Sequence, residues 1–247
     1  MALTTSFSDS AAAGSSMRFD AFEWITFDCY GTLIDWESGI LSAMGAILDA
    51  QGRRVPDDEI LTLFAAVESR VETGEYRRYR DILAEVVSGF GEALGFEPTR
   101  EQISALASSV GDWPAFPDTV VALRALETKY KLAVISNVDD DLFEGSARRL
   151  GVELDEVVTA ERVGSYKPSL ANFRFAFDRM GLGPDGILHV AQSLYHDIAP
   201  ARELGLACVW VNRRKGPGPG ATAPATAVPD LEVPDLESLV MLMGLGG

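Results

Sequence analysis

Short apolar runs recur along the chain at 24–28, 132–136, 156–159, 187–191 and 208–212. They are too brief and too unbroken for amphipathic helices, and they read as buried parallel strands. Between the later runs the apolar positions return at helical spacing, over 119–129, 142–150, 169–180 and 198–204. The last three of these end at Gly151, Gly181 and Gly205, the residue type that most readily closes a helix. Strand alternating with helix predicts an α/β fold built on a doubly wound parallel sheet, a Rossmann-like core. One stretch breaks the rhythm. From Trp36 to about Pro114 no run resembles a strand, while 40–51, 57–72, 76–94 and 100–109 have helical periodicity. A helical block inserted after the first strand lies over that strand's C-terminal end, where a lid would sit. The expected organisation is a flexible tail at 1–18, an α/β core at 19–35 and 115–247, and an inserted helical cap at 36–114. The Gly/Pro/Ala-rich stretch 216–224 reads as a mobile loop.

Charge and composition narrow the picture. The 247 residues carry a formal charge of −16, a field that disfavours nucleic acid and anionic membranes as partners. An anionic substrate therefore needs local Lys or Arg. Hydrophobic residues make up 47%, enough for a sizeable core, yet no segment has the length and apolarity of a membrane span. The Ser-, Ala- and Thr-rich opening lacks the basic start and apolar block of a secretory leader. Cys29 and Cys208 lie in apolar runs and form no metal-type cluster. They read as buried structural thiols, in keeping with a cytoplasmic protein.

Candidate chemistry gathers at the strand ends. Asp28 closes the first apolar run and is followed by Cys29-Tyr30-Gly31-Thr32. In open α/β sheets the ligand crevice lies just outside such ends, and a carboxylate there can act as a nucleophile. The second strand ends in Ser136-Asn137, Lys167 follows Gly164-Ser165-Tyr166, and the fourth strand runs into Gln192-Ser193-Leu194-Tyr195-His196-Asp197. Each has a plainer reading alone. Ser136 and Asn137 could cap a helix starting near Asp139, Lys167 could be a loop lysine, and Asp197 could be a helix N-cap. His196 reads as a surface or capping histidine and His189 as structural. Alternation turns Cys29 away from the face of Asp28.

These four motifs, in this order and with the helical insertion in place, resemble the haloacid dehalogenase superfamily, and most closely its 2-haloacid dehalogenase (type II) group. The resemblance runs from Trp24 to about Arg213. It implies that Asp28 is a covalent nucleophile, that Thr32, Ser136 and Asn137 orient it and bind substrate, that Lys167 neutralises charge beside it, and that Asp197 is the last acid of the fourth motif. Superfamily phosphatases carry a second Asp two residues after the nucleophile, where this chain has Tyr30. A phenol, with a reference pKa of about 10, cannot both give and take a proton at neutral pH. Departing halide needs no proton.

The implied reaction is (S)-2-haloacid dehalogenation. Asp28 attacks the α-carbon and expels halide, and water then hydrolyses the ester to a 2-hydroxy acid. Asn137 would donate to the leaving halide, Asp197 would position the water, and Tyr30, Gln192 and Ser193 would line the substrate site. The implied partner is a small anionic substrate, and since many relatives are dimers a homodimer is allowed. The expectation is that no metal is required. Magnesium remains allowed, held by Asp28, the Tyr30 carbonyl and Asp197, but Gln192 stands where the superfamily phosphatases have an acid, and an amide is a weaker ligand for a hard cation. The alternatives are a magnesium-dependent phosphatase of the same superfamily, or a hydrolase of another small acid such as azetidine-2-carboxylate. The chain also departs from the dehalogenase pattern. Ala65 falls where those enzymes have a halide-contacting arginine, for which Arg70, Arg77, Arg78 or Arg80 could substitute, Arg77 or Arg78 being nearest, although 76–80 could equally be a solvated helix face, and Phe173 replaces a tyrosine.

Overall fold

The computed structural model of the protein describes residues 17–71, 74–213 and 225–246. The expected flexible tail, as far as residue 16, and the expected mobile loop at 216–224 lie outside the described residues. Six parallel strands form one sheet in the order β3-β2-β1-β4-β5-β6. They are β1 Trp24–Phe27, β2 Lys131–Ser136, β3 Glu156–Thr159, β4 Ile187–Ala191, β5 Ala207–Val211 and β6 Leu231–Val233. Five follow the apolar runs. The sixth was not expected: it is three residues long, contains Glu232 and lies between Pro229 and Pro234, so it has no periodicity to read. Pairing with β5 makes it a strand.

β1 is buried along its whole length because it is central, pairing with β2 on one side and β4 on the other. The sheet grows outward from it in both directions, so the topological switch point falls at its C-terminal end. Phe27 stands level with Val134 and Val190, which brings the three strand ends to one rim.

Four helices occupy the segment after β1: α1 Trp36–Ala50, α2 Asp57–Val71, α3 Tyr79–Leu94 and α4 Arg100–Ser109. Six more follow: α5 Thr119–Leu126, α6 Asp140–Leu150, α7 Ala160–Val163, α8 Leu170–Met180, α9 Ala199–Glu203 and α10 Leu236–Leu242. The periodicity located most of them, but boundaries moved where caps act. α1 begins at Trp36 rather than 40, because Asp35 accepts the Ser38 N–H. Before α9, the expected helical start is a π-helical turn, Leu194–Ile198. α6 packs against a 3-10 turn, Val110–Asp112, that leads out of the helical block. Two glycines allow this approach, since a methyl at Gly145 would stand 2.4 Å from the Gly111 Cα. Buried residues of the block and the sheet, among them Ile40, Phe64, Val86, Leu123 and Val134, form one continuous apolar cluster.

Because backbone lies opposite Gly145, Gly145→Ala should destabilise the fold by about 1–3 kcal/mol. Gly45→Ala is the control, with nothing within 4 Å of its added carbon, and should be neutral or stabilising by about 0.5–1 kcal/mol. Denaturant titration of both variants checks the pair.

Candidate active site

The chain after β1 makes a tight turn in which the Leu33 and Ile34 N–H groups both return to the Cys29 carbonyl, at 2.7 and 3.0 Å. Gly31 takes φ +91°, a region that a side chain rarely enters, and an added Cβ would sit 3.2 Å from Gln192 Oε1 and Trp36 Nε1. This turn brings the Thr32 hydroxyl back onto Asp28 Oδ2 at 2.7 Å. The same oxygen of Thr32 accepts the Gln192 N–H at 2.9 Å, tying the first motif to the fourth.

Lys167 is buried and its three ammonium hydrogens are all engaged. They go to Asp28 Oδ1 at 2.8 Å, Asp197 Oδ1 at 2.7 Å and the Ile135 carbonyl at 2.8 Å. Asn137 fixes the lysine from behind: its Oδ1 accepts the Lys167 N–H at 2.7 Å, and its Nδ2 donates to the Lys167 carbonyl at 3.1 Å. Asp197 Oδ1 also accepts from His189 Nε2 at 3.1 Å. A carboxylate only accepts, so Nε2 carries a hydrogen, and Nδ1 pairs with the Thr26 hydroxyl at 2.9 Å. Asp197 Oδ2 is buried and has no hydrogen-bond partner among the described residues.

Burial acts on all three charged groups. It pushes the Asp28 carboxyl up from its ordinary range, with Lys167 opposing and Asp197 adding to the rise. Burial also works against charge on Asp197, but Lys167 and His189 outweigh it and hold that carboxyl low. For Lys167 the two carboxylates outweigh burial and raise it, so it stays an ammonium. The Tyr30 phenol is pushed well above its usual value, mainly by burial. Its hydroxyl pairs with Ser146 Oγ at 2.9 Å, and its ring meets Trp113 edge-on.

These groups open onto a small cavity of about 60 Å³. The core contributes Asp28, Tyr30, Asn137, Lys167, Gln192, Ser193, His196 and Asp197, and the helical block contributes Trp36, Glu68 and Tyr79. The structure therefore gathers most of the expected residues. Ser136 is buried with its hydroxyl unpartnered, but it does not line the cavity. The Asn137 amide, expected to face a leaving halide, is turned to the Lys167 main chain. Arg77 and Arg78 are outside the lining: Arg77 pairs with Glu85, and Arg78 with Glu161 at 3.1 Å. No arginine lines the cavity among the described residues. Phe173 packs edge-on against His189.

Several contacts in and around the cavity had no sequence signal. Glu68 is one acid among several on α2, and only the fold aims it at the cavity. His196 lies beside the cavity, buried enough to be lowered to about 4, so it is neutral at neutral pH. Asp139 is the N-cap of α6 yet makes no side-chain bond there. Its carboxylate instead takes the Tyr79 and Arg80 N–H groups at 2.8 and 3.0 Å. It thus caps α3 from another part of the chain, and α3 starts at Tyr79 rather than 76 for that reason.

This arrangement can present a carboxylate to an electrophilic carbon, hold compensating charge beside it, and offer a second carboxylate to a water. The family model for haloacid dehalogenase-like hydrolases matches residues 22–205, and the chain belongs to that family of enzymes. It is 25% identical over 204 residues to the (S)-2-haloacid dehalogenase 4A of Burkholderia cepacia, covering 80% of this chain and 86% of the relative. It is 31% identical over 202 residues to the glyceraldehyde 3-phosphate phosphatase of Methanothermobacter thermautotrophicus, covering 76% and 84%. The fold matches the crystal structure of the L-2-haloacid dehalogenase from Xanthobacter autotrophicus with a TM-score of 0.76 at 20% identity, over 90% of this chain and 98% of that one. No helix among the described residues is long and apolar enough to cross a membrane.

A nucleophilic Asp28 must be ionised. Because burial raises its pKa above the ordinary 3.8, activity should fall with decreasing pH while still above that value. The acid limb of a kcat/KM–pH profile checks this, and a limb at or below the ordinary aspartate value contradicts it.

Proposed function

We propose that the protein is a hydrolase working through an ester on Asp28, formed at the activated α-carbon of a small carboxylic acid and needing no metal. The activating group is a halide, as in the names of the dehalogenase relatives, or a strained ring nitrogen as in azetidine-2-carboxylate. One observation carries the reading: a buried carboxylate gripped by Lys167 and Thr32 has a phenol, not a second acid, two residues on.

In the first step an Asp28 oxygen bonds to the α-carbon and the leaving group departs with the electron pair. Asp28 then loses its charge to the ester, and Lys167 is left with Asp197 alone. Water next attacks the Asp28 carbonyl carbon. Asp197 Oδ2, the buried oxygen without a partner, is the acceptor that orients this water. Lys167 and Thr32 stand where charge develops on the Asp28 oxygens. The ester C–O bond then breaks, releasing a 2-hydroxy acid and regenerating Asp28. The helical block serves as the cap that keeps the cavity small and water-poor.

The 31% identity to a phosphatase favours a second reading, phosphate ester hydrolysis with magnesium. The donor set fits it poorly. Asp28 and Asp197 are already paired with Lys167 Nζ, and Gln192 is a neutral donor, a weaker ligand for a hard cation. The described residues include no cluster of three or more His, Cys, Asp or Glu suited to a metal. Tyr30, a phenol bonded to Ser146, is a poor base at neutral pH and does not replace a carboxylate that both gives and takes a proton.

Asp28→Asn should abolish turnover, and Lys167→Ala should lose most of it, on whichever small acid the wild type converts fastest. In labelled water, a single turnover should place heavy oxygen in Asp28, read by peptide mass spectrometry. Label confined to product would mean direct attack by water. EDTA should leave the rate as it was; release of phosphate from glyceraldehyde 3-phosphate that EDTA stops would establish the second reading instead.

A further inference from the structure

A second hollow, of about 90 Å³, lies against the cavity that holds Asp28. Among the described residues the two share Trp36 and Gln192 in their linings, while Gly31, Phe116 and Arg213 line the second and not the first. The second hollow is firmly walled. The Arg213 guanidinium lies over the Phe116 ring at 3.9 Å, pairs with Asp118 at 3.0 Å and donates to the Thr32 carbonyl at 2.8 Å. Gly31 has no side chain to fill the space beside it.

The partition between the two is the Trp36 indole and the Gln192 amide, which meet over Gly31: a carbon added there would lie 3.2 Å from both Trp36 Nε1 and Gln192 Oε1. The partition is braced from several sides. Trp36 opens α1, and Asp35 fixes that start by accepting the Ser38 N–H and hydroxyl at 3.2 and 2.6 Å. The Asp35 N–H in turn reaches the Pro114 carbonyl at 2.8 Å. The indole meets the ring of Phe64 edge-on at 5.9 Å, and Phe64 is fully buried on α2, so the ring has a preferred pose. Gln192 is tied at both main-chain groups, its N–H to Thr32 Oγ1 and its carbonyl to Trp210 Nε1 at 2.7 Å. The cavity's 60 Å³ leaves room for roughly four or five water-sized groups, about the size of a two- or three-carbon acid. A longer chain directed at the partition must displace it, and forcing a packed wall costs more than a few methylenes return.

We propose that Trp36 is a specificity-determining residue: its indole confines the reacting acid to the small cavity, and the hollow behind it is a latent pocket for a longer hydrocarbon chain on the reacting carbon. The inference rests on the Asp28-ester reading, because it places the acid's α-carbon before Asp28. Trp36 takes no part in the bonds that form and break; it acts by exclusion. A smaller side chain at position 36 joins the two spaces. The chain of a longer acid then lies along the Phe116 ring and the stem of Arg213, and each methylene so buried strengthens binding by about 4-fold.

The test measures kcat/KM for (S)-2-chloropropionate and (S)-2-chlorohexanoate on the wild type, Trp36→Phe and Trp36→Ala. The wild type should favour the shorter acid. Trp36→Ala should raise the long-to-short ratio by about 10- to 100-fold. Trp36→Phe, which keeps a ring against Phe64 and so guards against a variant that does not fold, should raise it by a smaller factor. A ratio unmoved by the substitutions, or a wild type that takes the long acid as readily as the short one, overturns the proposal. Calorimetric binding of the matching products, (R)-2-hydroxypropionate and (R)-2-hydroxyhexanoate, to the same proteins reads the same preference with no chemical step. Tighter binding of the long product by the wild type, or no relative gain for it in the variants, likewise overturns the proposal. Turnover surviving in Asp28→Asn would end the ester reading separately, since the product-binding ratio still decides the role of Trp36.

Discussion

The Lys167 ammonium is the point on which the site depends. It sits between two buried carboxylates and beneath a strand carbonyl, joining β1, β2 and the turn after β4 through three hydrogen bonds. Without it, Asp28 and Asp197 would face each other in a poorly solvated space, and one would take a proton. With it, Asp197 stays ionised and Asp28 is held in one orientation by Lys167 and Thr32. Breaking a buried pair of this kind by removing one partner costs about 3–5 kcal/mol. That penalty explains the effort around the lysine: both polar atoms of the Asn137 amide are used on its main chain, and His189 supports Asp197 from the far side.

The helical block is secured to the sheet by related means. Asp139, fully buried, supplies acceptors to the first N–H groups of α3, groups that a helix cannot satisfy internally. Tyr166, next to Lys167, donates to the Arg77 carbonyl at 2.7 Å. The same helix start carries Tyr79, whose hydroxyl sets Glu68. Contacts that locate the block and contacts that shape the cavity thus run through the same few residues, so the block's placement and the cavity's lining are not independent.

Relatives named as dehalogenases and as a phosphatase share this scaffold. Fold alone does not choose between attack at carbon and attack at phosphorus. The choice rests on which groups can supply a proton and which charges are already balanced. Here the residue two after Asp28 is a phenol bonded to Ser146, and the space between the carboxylates belongs to an ammonium.

Most of the fold was legible in the sequence because burial writes itself as periodicity: five of the six strands and eight of the ten α-helices among the described residues follow from runs and spacings, while α7 and α10 do not. β6 was not legible, since a three-residue edge strand between prolines is made by its neighbour. The motif residues Asp28, Thr32, Lys167 and Asp197 were legible too, because each follows a strand or turn whose end had to lie on one rim. Glu68 and Asp139 were not, nor were the true directions of Asn137, Arg77 and Arg78. Their roles depend on which side chain from a distant segment lies within about 3 Å, and hydrogen bonds and ion pairs decay over distances that no local pattern encodes. The chain's order determined the sheet, the helical insertion and the place of Asp28 at a strand end; packing of the helical block against that rim decided which side chains Asp28 faces.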